Sequence, residues 1–381
     1  MRTGKKKTLL IVLFCGLALI LIYFSWLGFH LLSFKTYRSY PPSASPLEIE
    51  GVYHIHSTFS DGRKNIHQIA DLAAQASVDF IILTDHGSPN RKSLAAQGWI
   101  KGVLVLAGSE LSVSRGHLVG LDFNPPSRPF SQNAELAASE INEAGGFSII
   151  AHPYSKVRWS WGEFTDYSGI EIMNADTMVK RNLLSTLPYL PSLLIKPQYL
   201  LLKMLDSPRR NLQKWDRLNQ IHPLYGYFSV DAHFLYRPLL SLFHVHLFLA
   251  RPLAEDFEQA RRQVYKSLKR GHFYNAVHAS ARGEGFRFWA EKGKKKIFMG
   301  ETAVHHSPMT LHIHAPFAFS KEIHLIRNGK IIHRSPKNRF SCAAREPGIY
   351  RVEIFLREKS PLAENIPWLV SNPIFLRKDK P

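Results

Sequence analysis

Six histidines and three carboxylates occur at or near the ends of apolar segments in the first two thirds of this 381-residue sequence. The first group is His54-Ile-His56, in which the two imidazoles are two positions apart. On a β-strand this spacing points both side chains to one face, so the pair can form half of a metal site. Asp61 and Gly62 follow in a predicted turn, where the carboxylate can fold back toward the same ion. Imidazole and carboxylate ligands together favour Zn, Mn or Fe over Ca.

The other candidate ligands share one kind of position in the sequence. Each lies within or directly after a short apolar run that is typical of a β-strand, and barrel enzymes place their chemistry at the carboxyl ends of such strands. These residues are His86, Glu110, His117, His152, Asp231 and His233. We therefore expect these side chains, although distant in sequence, to converge on one metal cluster.

The elements around these residues alternate between strand and helix patterns. Val78–Leu83 is a continuous apolar run of the kind found in buried parallel strands. Ile66–Ala76 has helical spacing of its apolar positions, and Ser131–Ala144 is a second predicted helix with Ser131 as a candidate N-cap. This alternation predicts an α/β barrel with the metal ligands at one mouth.

The motifs, taken in order, resemble the full motif set of PHP (polymerase and histidinol phosphatase) metallohydrolases, over about residues 51–290. The resemblance implies a distorted seven-stranded β/α barrel that binds two or three divalent ions, namely Zn, Mn or Fe, with Mg also open. The motifs that carry it are His54-x-His56, Ser60-Asp61-Gly62, Thr84-Asp85-His86, Glu110, His117, Ala151-His152-Pro153 and Asp231-x-His233.

The resemblance also implies how the ligands are divided among the ions. One ion would be held by His54, His56, Glu110 and Asp231, and Glu110 would bridge to a second ion held by Asp61, His86 and a neighbouring histidine. His117 and His152 would hold a third ion, and His233 completes the set. Asp85 is expected outside the ligand set, where it would orient a ligand or take its proton.

The ions predict a hydrolytic mechanism, because clustered divalent cations lower the pKa of a bound water. A metal-bridging hydroxide is then expected to attack phosphorus or a carbonyl carbon. Asp231 is the candidate to hold or relay the proton of this nucleophile, and with Glu110 and His233 it forms the predicted catalytic set.

Three cations follow metal-ligand motifs in predicted loops. Arg115, Lys156 and Arg158 are candidates to clamp a phosphate or carboxylate of the substrate. The alternative interpretation is that they are exposed loop cations. We expect a small-molecule, anionic substrate on this basis.

Thr8–Phe29 is a run of 22 residues without a charged side chain, long enough as a helix to cross about 30 Å of hydrocarbon. Tyr23 and Trp26 lie near its far end, where aromatic side chains favour the membrane interface. Basic residues precede the run, so the positive-inside rule predicts a single-pass anchor with a cytoplasmic N-terminus and an extracytoplasmic catalytic domain. A cleaved signal peptide is the alternative.

The remaining chain is divided by changes of pattern. Residues 1–30 form the predicted tip and anchor, 31–48 a linker, 49–300 the barrel and 301–381 a small β-sandwich with a hairpin at Asn328-Gly329. Within the barrel, residues 180–215 form an apolar, proline-interrupted insertion, which we interpret as a lid over the barrel mouth or as a segment that touches the bilayer.

Two further histidine pairs, His244-x-His246 and His312-x-His314, also lie in strand-like segments. Neither has a matching carboxylate motif nearby in sequence, so we expect both pairs to serve packing. Trp215-Asp216-Arg217-Leu218 resembles a stretch in larger, amidohydrolase-like PHP proteins, some of which cleave carbamate esters or amides.

Composition restricts the remaining possibilities. With 45% hydrophobic and 21% charged residues the chain is an ordinary globular protein, and its two cysteines allow no disulfide framework. The net charge of +19 favours an anionic bilayer or an anionic substrate, and no motif supports nucleic acid as a partner. No obligate protein partner is indicated.

Three functions remain open from the sequence. The first is a phosphoesterase, including cleavage like that of a 5'-3' exonuclease. The second is an ester, amide or carbamate hydrolase with the same metal site. The third is a non-catalytic binding module, which would not bind metal.

Overall fold

The structure, a computed structural model, describes residues 2–38, 45, 47–114, 116–155 and 166–378. Within this part the chain has a mixed α/β fold. The helices are α1 Arg2–Ser33, α2 Ile66–Gln75, α3 Arg91–Ala95, α4 Ala134–Glu143, α5 Ala175–Asn182, α6 Pro197–Met204, α7 Arg209–Asn219, α8 Tyr236–Leu239 and α9 Phe257–Lys269, with a 3₁₀ helix at Leu184–Leu194.

The described strands fall into an N-terminal and a C-terminal series. The first is β1 Glu48–Ile55, β2 Phe80–Leu83, β3 Gly98–Ile100, β4 Val103–Ala107, β5 Ser109–Val113, β6 Gly116–Leu121, β7 Phe147–Ala151, β8 Gly169–Asn174, β9 Tyr225–Ser229, β10 His244–Phe248 and β11 Phe273–Ala276. The second is β12 Arg287–Lys292, β13 Lys295–Phe298, β14 Thr302–Val304, β15 Met309–His314, β16 Lys321–Arg327, β17 Lys330–Ser335, β18 Arg339–Ala344, β19 Gly348–Leu356, β20 Leu369–Ser371 and β21 Ile374–Arg377.

Two sheets carry the candidate ligands. In the larger sheet β1, β2 and β4 are parallel neighbours and β10 pairs antiparallel with β1, while the smaller sheet has the order β5-β6-β7-β8-β9. Among the described residues, backbone hydrogen bonds join the sheets at two places. The Val230 amide donates to the Tyr53 carbonyl at 3.1 Å, which links β9 to β1, and the Glu110 amide donates to the Asp85 carbonyl at 3.3 Å, which links β5 to the end of β2. The ligands therefore lie where the sheets meet.

A shared apolar core lies between these two sheets. Tyr53, Ile82 and Leu106 of the larger sheet and Ile149 and Tyr227 of the smaller one are each buried in the same cluster. Burying one such side chain stabilises the fold by about 1.5–3 kcal/mol. The buried apolar residues of the strands therefore stabilise the framework on which the polar strand ends are held.

Helix α2 shows how local sequence sets an element. Asn65 accepts a hydrogen bond from the Gln68 amide and Gln68 in turn caps Asn65, which forms a capping box at the start of the helix. The apolar residues Ile66, Ile69 and Ala73 share its buried face, at the spacing that the sequence predicted.

The N-terminus of α4 differs from the prediction. The helix begins at Ala134 rather than at Ser131, because Asn133 is the residue whose side chain accepts from the amides of Glu135 and Leu136. The Ser131 hydroxyl instead accepts from the Asn133 amide at 3.1 Å. Ser131 therefore shapes the turn before the cap and is not the N-cap itself.

Helix α1 is the long apolar helix that the sequence predicts. By length and composition alone, Lys6–Ser33 could cross a membrane, and a signal sequence meets the same test. The helix runs to Ser33, three residues into the predicted linker, and Leu27 and Leu31 at its end are buried against the rest of the chain. Residues 39–44 and 46 of that linker lie outside the described residues.

The C-terminal strands are continuous with the larger sheet, since β20 pairs with both β11 and β19. β12, β13, β15 and β18 form a separate four-stranded sheet. The predicted hairpin at Asn328-Gly329 is confirmed, because it joins β16 to β17 and both residues have positive φ, 49° and 77°. Two positive φ angles are what a two-residue hairpin turn of this type needs.

Candidate metal centre

The His54 and His56 rings are fully buried at the carboxyl end of β1. The strand is irregular there, because its pairing with β2 shifts register between Tyr53 and Ile55 and His54 has a φ of 71°. The two Nε2 atoms lie 3.1 Å apart. The residues do meet, as the spacing predicts, but a bulge and not a regular strand brings them together.

Glu110, at the start of β5, lies at the centre of the site and is almost fully buried. Its Oε1 atom is 2.9 Å from both His117 Nδ1 and His152 Nε2. Its Oε2 atom faces three further imidazoles at 3.1–3.4 Å, those of His54, His56 and His86. Each carboxylate oxygen thus faces a different group of nitrogens, the arrangement that a bridging ligand needs.

Asp231 and Asp61 approach the cluster from two other loops. Asp231 Oδ1 lies 3.4 Å from Nε2 of both His54 and His56. Asp61 Oδ2 lies 3.2 Å from His233 Nε2, and the His233 ring stacks on His56 with centroids 4.1 Å apart. All nine residues that the sequence singled out therefore belong to one connected cluster.

Three sets of ligand atoms within this cluster lie within 4.8 Å of one another. The first has the four members that the family resemblance implies for one ion. The second differs from expectation, since it contains His56 and His233 and not Glu110. The third also differs, since it joins His117 to His86 and Glu110 and not to His152. The sets are His54, His56, Glu110 and Asp231; His56, Asp61, His86 and His233; and His86, Glu110 and His117.

The residues present fit divalent metal ions. Ligands about 2.0–2.1 Å from a tetrahedral ion lie about 3.3 Å from one another, close to the separations seen around Glu110. Among the described residues, the buried Nδ1 of His86 has no hydrogen-bond partner, which leaves a nitrogen available to a cation. The donor set contains only nitrogens and carboxylate oxygens, which suits Zn, Mn or Fe.

The charges of the cluster depend on one another. Burial favours the neutral form of Glu110, but the imidazoles, His54 foremost, hold the pKa of this carboxyl well below its usual range. Burial alone would lower the pKa of His152, yet its hydrogen bond to Glu110 and the charge of Asp231 raise it to about 9. Without metal, protons on the histidines therefore balance the carboxylates.

Glu171 is a buried residue of the site that sequence reasoning missed. Its Oε1 lies 2.5 Å from His54 Nδ1, and its Oε2 accepts from the His152 amide at 2.8 Å and from Asn174 at 2.9 Å. A proton donated from Nδ1 to Glu171 leaves the Nε2 lone pair of His54 directed at the cluster. The available signal was a charged residue inside the apolar run Gly169-Ile-Glu-Ile-Met.

Asp85 holds the loop after β1. It accepts hydrogen bonds from the Ser57 amide at 2.6 Å and from the hydroxyls of Ser57 and Ser60 at 2.7 Å, and it also contacts the Ser93 hydroxyl. Ser60 Oγ lies 3.4 Å from His56 Nδ1. Asp85 thus reaches a candidate ligand through Ser60 and not by direct contact.

The predicted substrate cations Arg115, Lys156 and Arg158 lie outside the described residues. A cavity of about 560 Å³ opens over the cluster, and helix α5 lines it with Lys180 and Arg181. Lys180 pairs with Asp176 at 2.5 Å, and Arg181 pairs with Asp206 at 2.8 Å. The sequence placed both cations in the lid segment without linking them to the site.

The sequence comparisons reach little of this chain. No protein-family model matches it. An uncharacterised protein of Methanocaldococcus jannaschii is 29% identical over 140 residues, which are 32% of this chain and 80% of that protein.

Solved structures that resemble the chain include the following three. A two-domain Bacteroides vulgatus protein containing a predicted PHP-like metal-dependent phosphoesterase covers 89% of it and is itself covered to 99%, at 14% identity and a TM-score of 0.42. A Chromobacterium violaceum amidohydrolase covers 48%, with 87% of its own chain matched, at 18% identity and a TM-score of 0.31. A Bifidobacterium adolescentis protein described as a metal-dependent phosphoesterase covers 49% of this chain, with 88% of its own chain matched, at 13% identity and a TM-score of 0.33.

Proposed function

We propose that this protein is a PHP-type metal-dependent hydrolase and, within that class, a phosphoesterase. One observation carries the proposal: the buried Glu110 and eight other imidazole and carboxylate residues from distant parts of the chain form one cluster with ligand-like separations. Burying polar and charged groups costs free energy unless they are paired or bind a metal. The concentration of such side chains at this site therefore favours a metal centre over an ordinary apolar core.

The residues have distinct roles in this proposal. Two or three divalent ions, held by His54, His56, Asp61, His86, Glu110, His117, His152, Asp231 and His233, would supply a water of lowered pKa and neutralise developing negative charge. Burial favours protonated Asp231, but His54 and His56 keep the pKa of this carboxyl far below its usual range, so it is ionised, the form that binds metal. Asn174 steadies it with a hydrogen bond of 3.2 Å to Oδ2.

Phosphate is favoured over a neutral acyl substrate by the cations of α5. Lys180 and Arg181 line the cavity over the cluster, where they can contact the non-reacting oxygens of an anionic substrate. The stretch that resembles amidohydrolase-like relatives does not line that cavity: the indole of Trp215 is buried and donates to the Leu224 carbonyl, and Asp216 binds Arg351. Its role is therefore packing against the C-terminal strands.

The proposal includes a closed β/α barrel of PHP type over residues 49–300 and a C-terminal β-sandwich over 301–381. The hydrogen bonds from Val230 to Tyr53 and from Glu110 to Asp85, which join the two sheets, support closure. The antiparallel strand pairs after residue 300 support the sandwich, although β20 also pairs with β11 and so ties it to the larger sheet.

We also propose that α1 anchors the enzyme in a membrane, with the catalytic domain outside the cytoplasm, and that the lid touches the bilayer. The 3₁₀ helix packs beside the end of α1, where the rings of Trp26 and Tyr189 are 5.6 Å apart and Tyr23 donates to the Pro188 carbonyl. Leu184 and Leu194 of this segment are 80% and 90% exposed. Exposed leucines beside an apolar helix favour contact with lipid.

The test is to purify the full chain in detergent and to measure its metal content and its activity. Substrates should include phosphomonoesters, single-stranded polynucleotides, and neutral esters, amides and carbamates. We expect phosphate release that depends on Mn²⁺ or Zn²⁺. Release of an acyl product without phosphatase activity would replace the phosphoesterase with the acyl hydrolase, and failure to bind metal would overturn the whole assignment.

A further inference from the structure

We propose that the chain has a second, separate metal site, formed by Glu50, His244 and His278, which binds one zinc-like divalent ion and fixes the segment that follows α1. The ligand atoms of these residues all lie within 4.8 Å of one another. The sequence favours a packing role for His244, because no carboxylate motif is near it in sequence. The fold brings Glu50 to it from 194 residues away.

The site is distinct from the catalytic cluster. Glu50 lies in the first half of β1 and His54 near its end, so about 13 Å of strand separates them. His244 begins β10, the antiparallel neighbour of β1 on the side away from β2, and His278 follows β11. The ligands thus come from β1, β10 and the loop after β11.

The distances suit a tetrahedral ion. His244 Nδ1 is 3.0 Å and His278 Nδ1 is 3.5 Å from the same carboxylate oxygen, Oε2 of Glu50. Ligands of tetrahedral zinc are about 3.3 Å apart. The two rings stack with centroids 3.7 Å apart, and both Nδ1 atoms face the same Glu50 oxygen.

The hydrogen bonds around His244 and His278 leave the Nδ1 atoms of both rings available to a cation. His244 Nε2 lies 2.9 Å from the Leu240 carbonyl, an acceptor that requires the proton on Nε2. In the neutral ring, Nδ1 then directs a lone pair at Glu50, and two lone pairs facing each other need a proton or a metal between them. His278 Nδ1 is buried and has no hydrogen-bond partner among the described residues, which is an independent sign of an absent ligand.

The loop that carries His278 also holds the chain where it leaves α1. The Tyr37 amide donates to the Ser280 carbonyl at 3.0 Å, the Arg282 amide donates to the Tyr37 carbonyl at 2.9 Å, and the Thr36 hydroxyl donates to the Ala279 carbonyl at 3.0 Å. An ion at His278 would hold this loop on β1 and β10. The site would therefore be structural and would fix the apolar helix relative to the catalytic sheets.

The direct test uses the unmodified full chain. Crystals grown with Zn²⁺ should show an anomalous-scattering peak at the zinc edge between Glu50, His244 and His278, in addition to peaks at the catalytic cluster. Occupied catalytic ions with no peak at this position would overturn the proposal, as would a water molecule or an ordinary hydrogen bond in its place.

A second test uses Glu50→Gln and His278→Asn in the full chain, with the exposed His333→Asn as the matched control. We expect each site variant to lose one zinc ion per chain by elemental analysis and to retain hydrolysis, since neither residue belongs to the catalytic cluster. Proteolysis near residue 38 should become faster in both. Unchanged zinc content in a folded variant would reject the site, and the crystallographic test decides the matter if both variants fail to fold.

Discussion

Glu171 Oε1 lies 2.5 Å from His54 Nδ1, and both side chains are fully buried. This contact joins the middle of β8 to the end of β1 and fixes which nitrogen of His54 faces the other ligands. A carboxylate behind a ligating histidine sets its tautomer and ring orientation. Strand β8 supplies no ligand of its own, but through this contact it helps to set the geometry of the cluster.

Replacing that carboxylate should weaken metal binding without removing a ligand. We expect Glu171→Gln to reduce metal affinity and kcat/KM by about 10–100-fold, the usual cost of losing a partner behind a ligand. Metal titration and steady-state kinetics measure the effect. The exposed Glu143→Gln serves as control, and an equal effect in both variants would contradict the assigned role.

Removing a central ligand should abolish turnover. Asp231→Asn is expected to lower kcat by about 10²–10⁴-fold, because it removes both a ligand and the proposed proton acceptor. His56→Ala should lose activity and bound metal together, while the exposed His67→Ala should retain both. Circular dichroism checks that the fold persists, and full activity in folded Asp231→Asn and His56→Ala would rule out the site.

The cations on α5 should determine the preference for anionic substrates. Lys180→Met or Arg181→Ala is expected to raise KM for a phosphomonoester about tenfold, corresponding to one charged hydrogen bond of about 1.5 kcal/mol. The exposed Lys101→Met, which lies on a different part of the chain, is the control. A drop in kcat at unchanged KM would instead assign these residues to the chemical step.

Metal uptake should depend on pH. His152 has a pKa raised to about 9 in the metal-free protein, so below that pH it carries a proton that must leave before a metal binds. Affinity for Zn²⁺ or Mn²⁺ should therefore increase as the pH rises toward about 9, with proton release on binding. Calorimetry in buffers of different ionisation enthalpy measures this, and pH-independent binding between 6 and 9 would contradict it.

The same shift predicts how the stability of the metal-free protein changes. The raised pKa of His152 means that the folded state binds its proton more tightly than the unfolded state does. This contribution is complete below the ordinary histidine pKa and is lost as the pH rises toward about 9. The melting temperature of chelator-treated protein should therefore fall over that range, and added metal should remove the dependence.

The lid should contact lipid when the full chain is in a membrane. In a Cys15→Ser, Cys342→Ser background, a polarity-sensitive fluorophore on Leu194→Cys should shift to shorter wavelength in liposomes. The same label on Leu136→Cys, another exposed leucine that lies on α4, should report water. Matching spectra at the two positions would mean that the segment does not contact lipid and serves only as a lid over the barrel mouth.

Much of the candidate site could be predicted from local sequence. The nine candidate ligands, the apolar helix predicted over Thr8–Phe29 and the hairpin at Asn328-Gly329 each depend on spacing, on composition or on short-range turn chemistry. Such signals survive in the sequence because strand ends and turns constrain neighbouring residues. The predicted N-cap of α4 was wrong by two residues. Serine and asparagine are both good N-caps, so only the backbone geometry selects Asn133 over Ser131.

The sequence by itself therefore determined which imidazoles and carboxylates lie at the strand ends. It also determined where an apolar helix lies. The tertiary structure alone decided which of these groups share a space. Glu171 contacts His54 across 117 residues and Glu50 contacts His244 across 194, and neither pair leaves a spacing pattern. The physical reason is that contacts between distant strands follow from sheet order and register, which depend on the packing of the whole core and not on neighbouring residues.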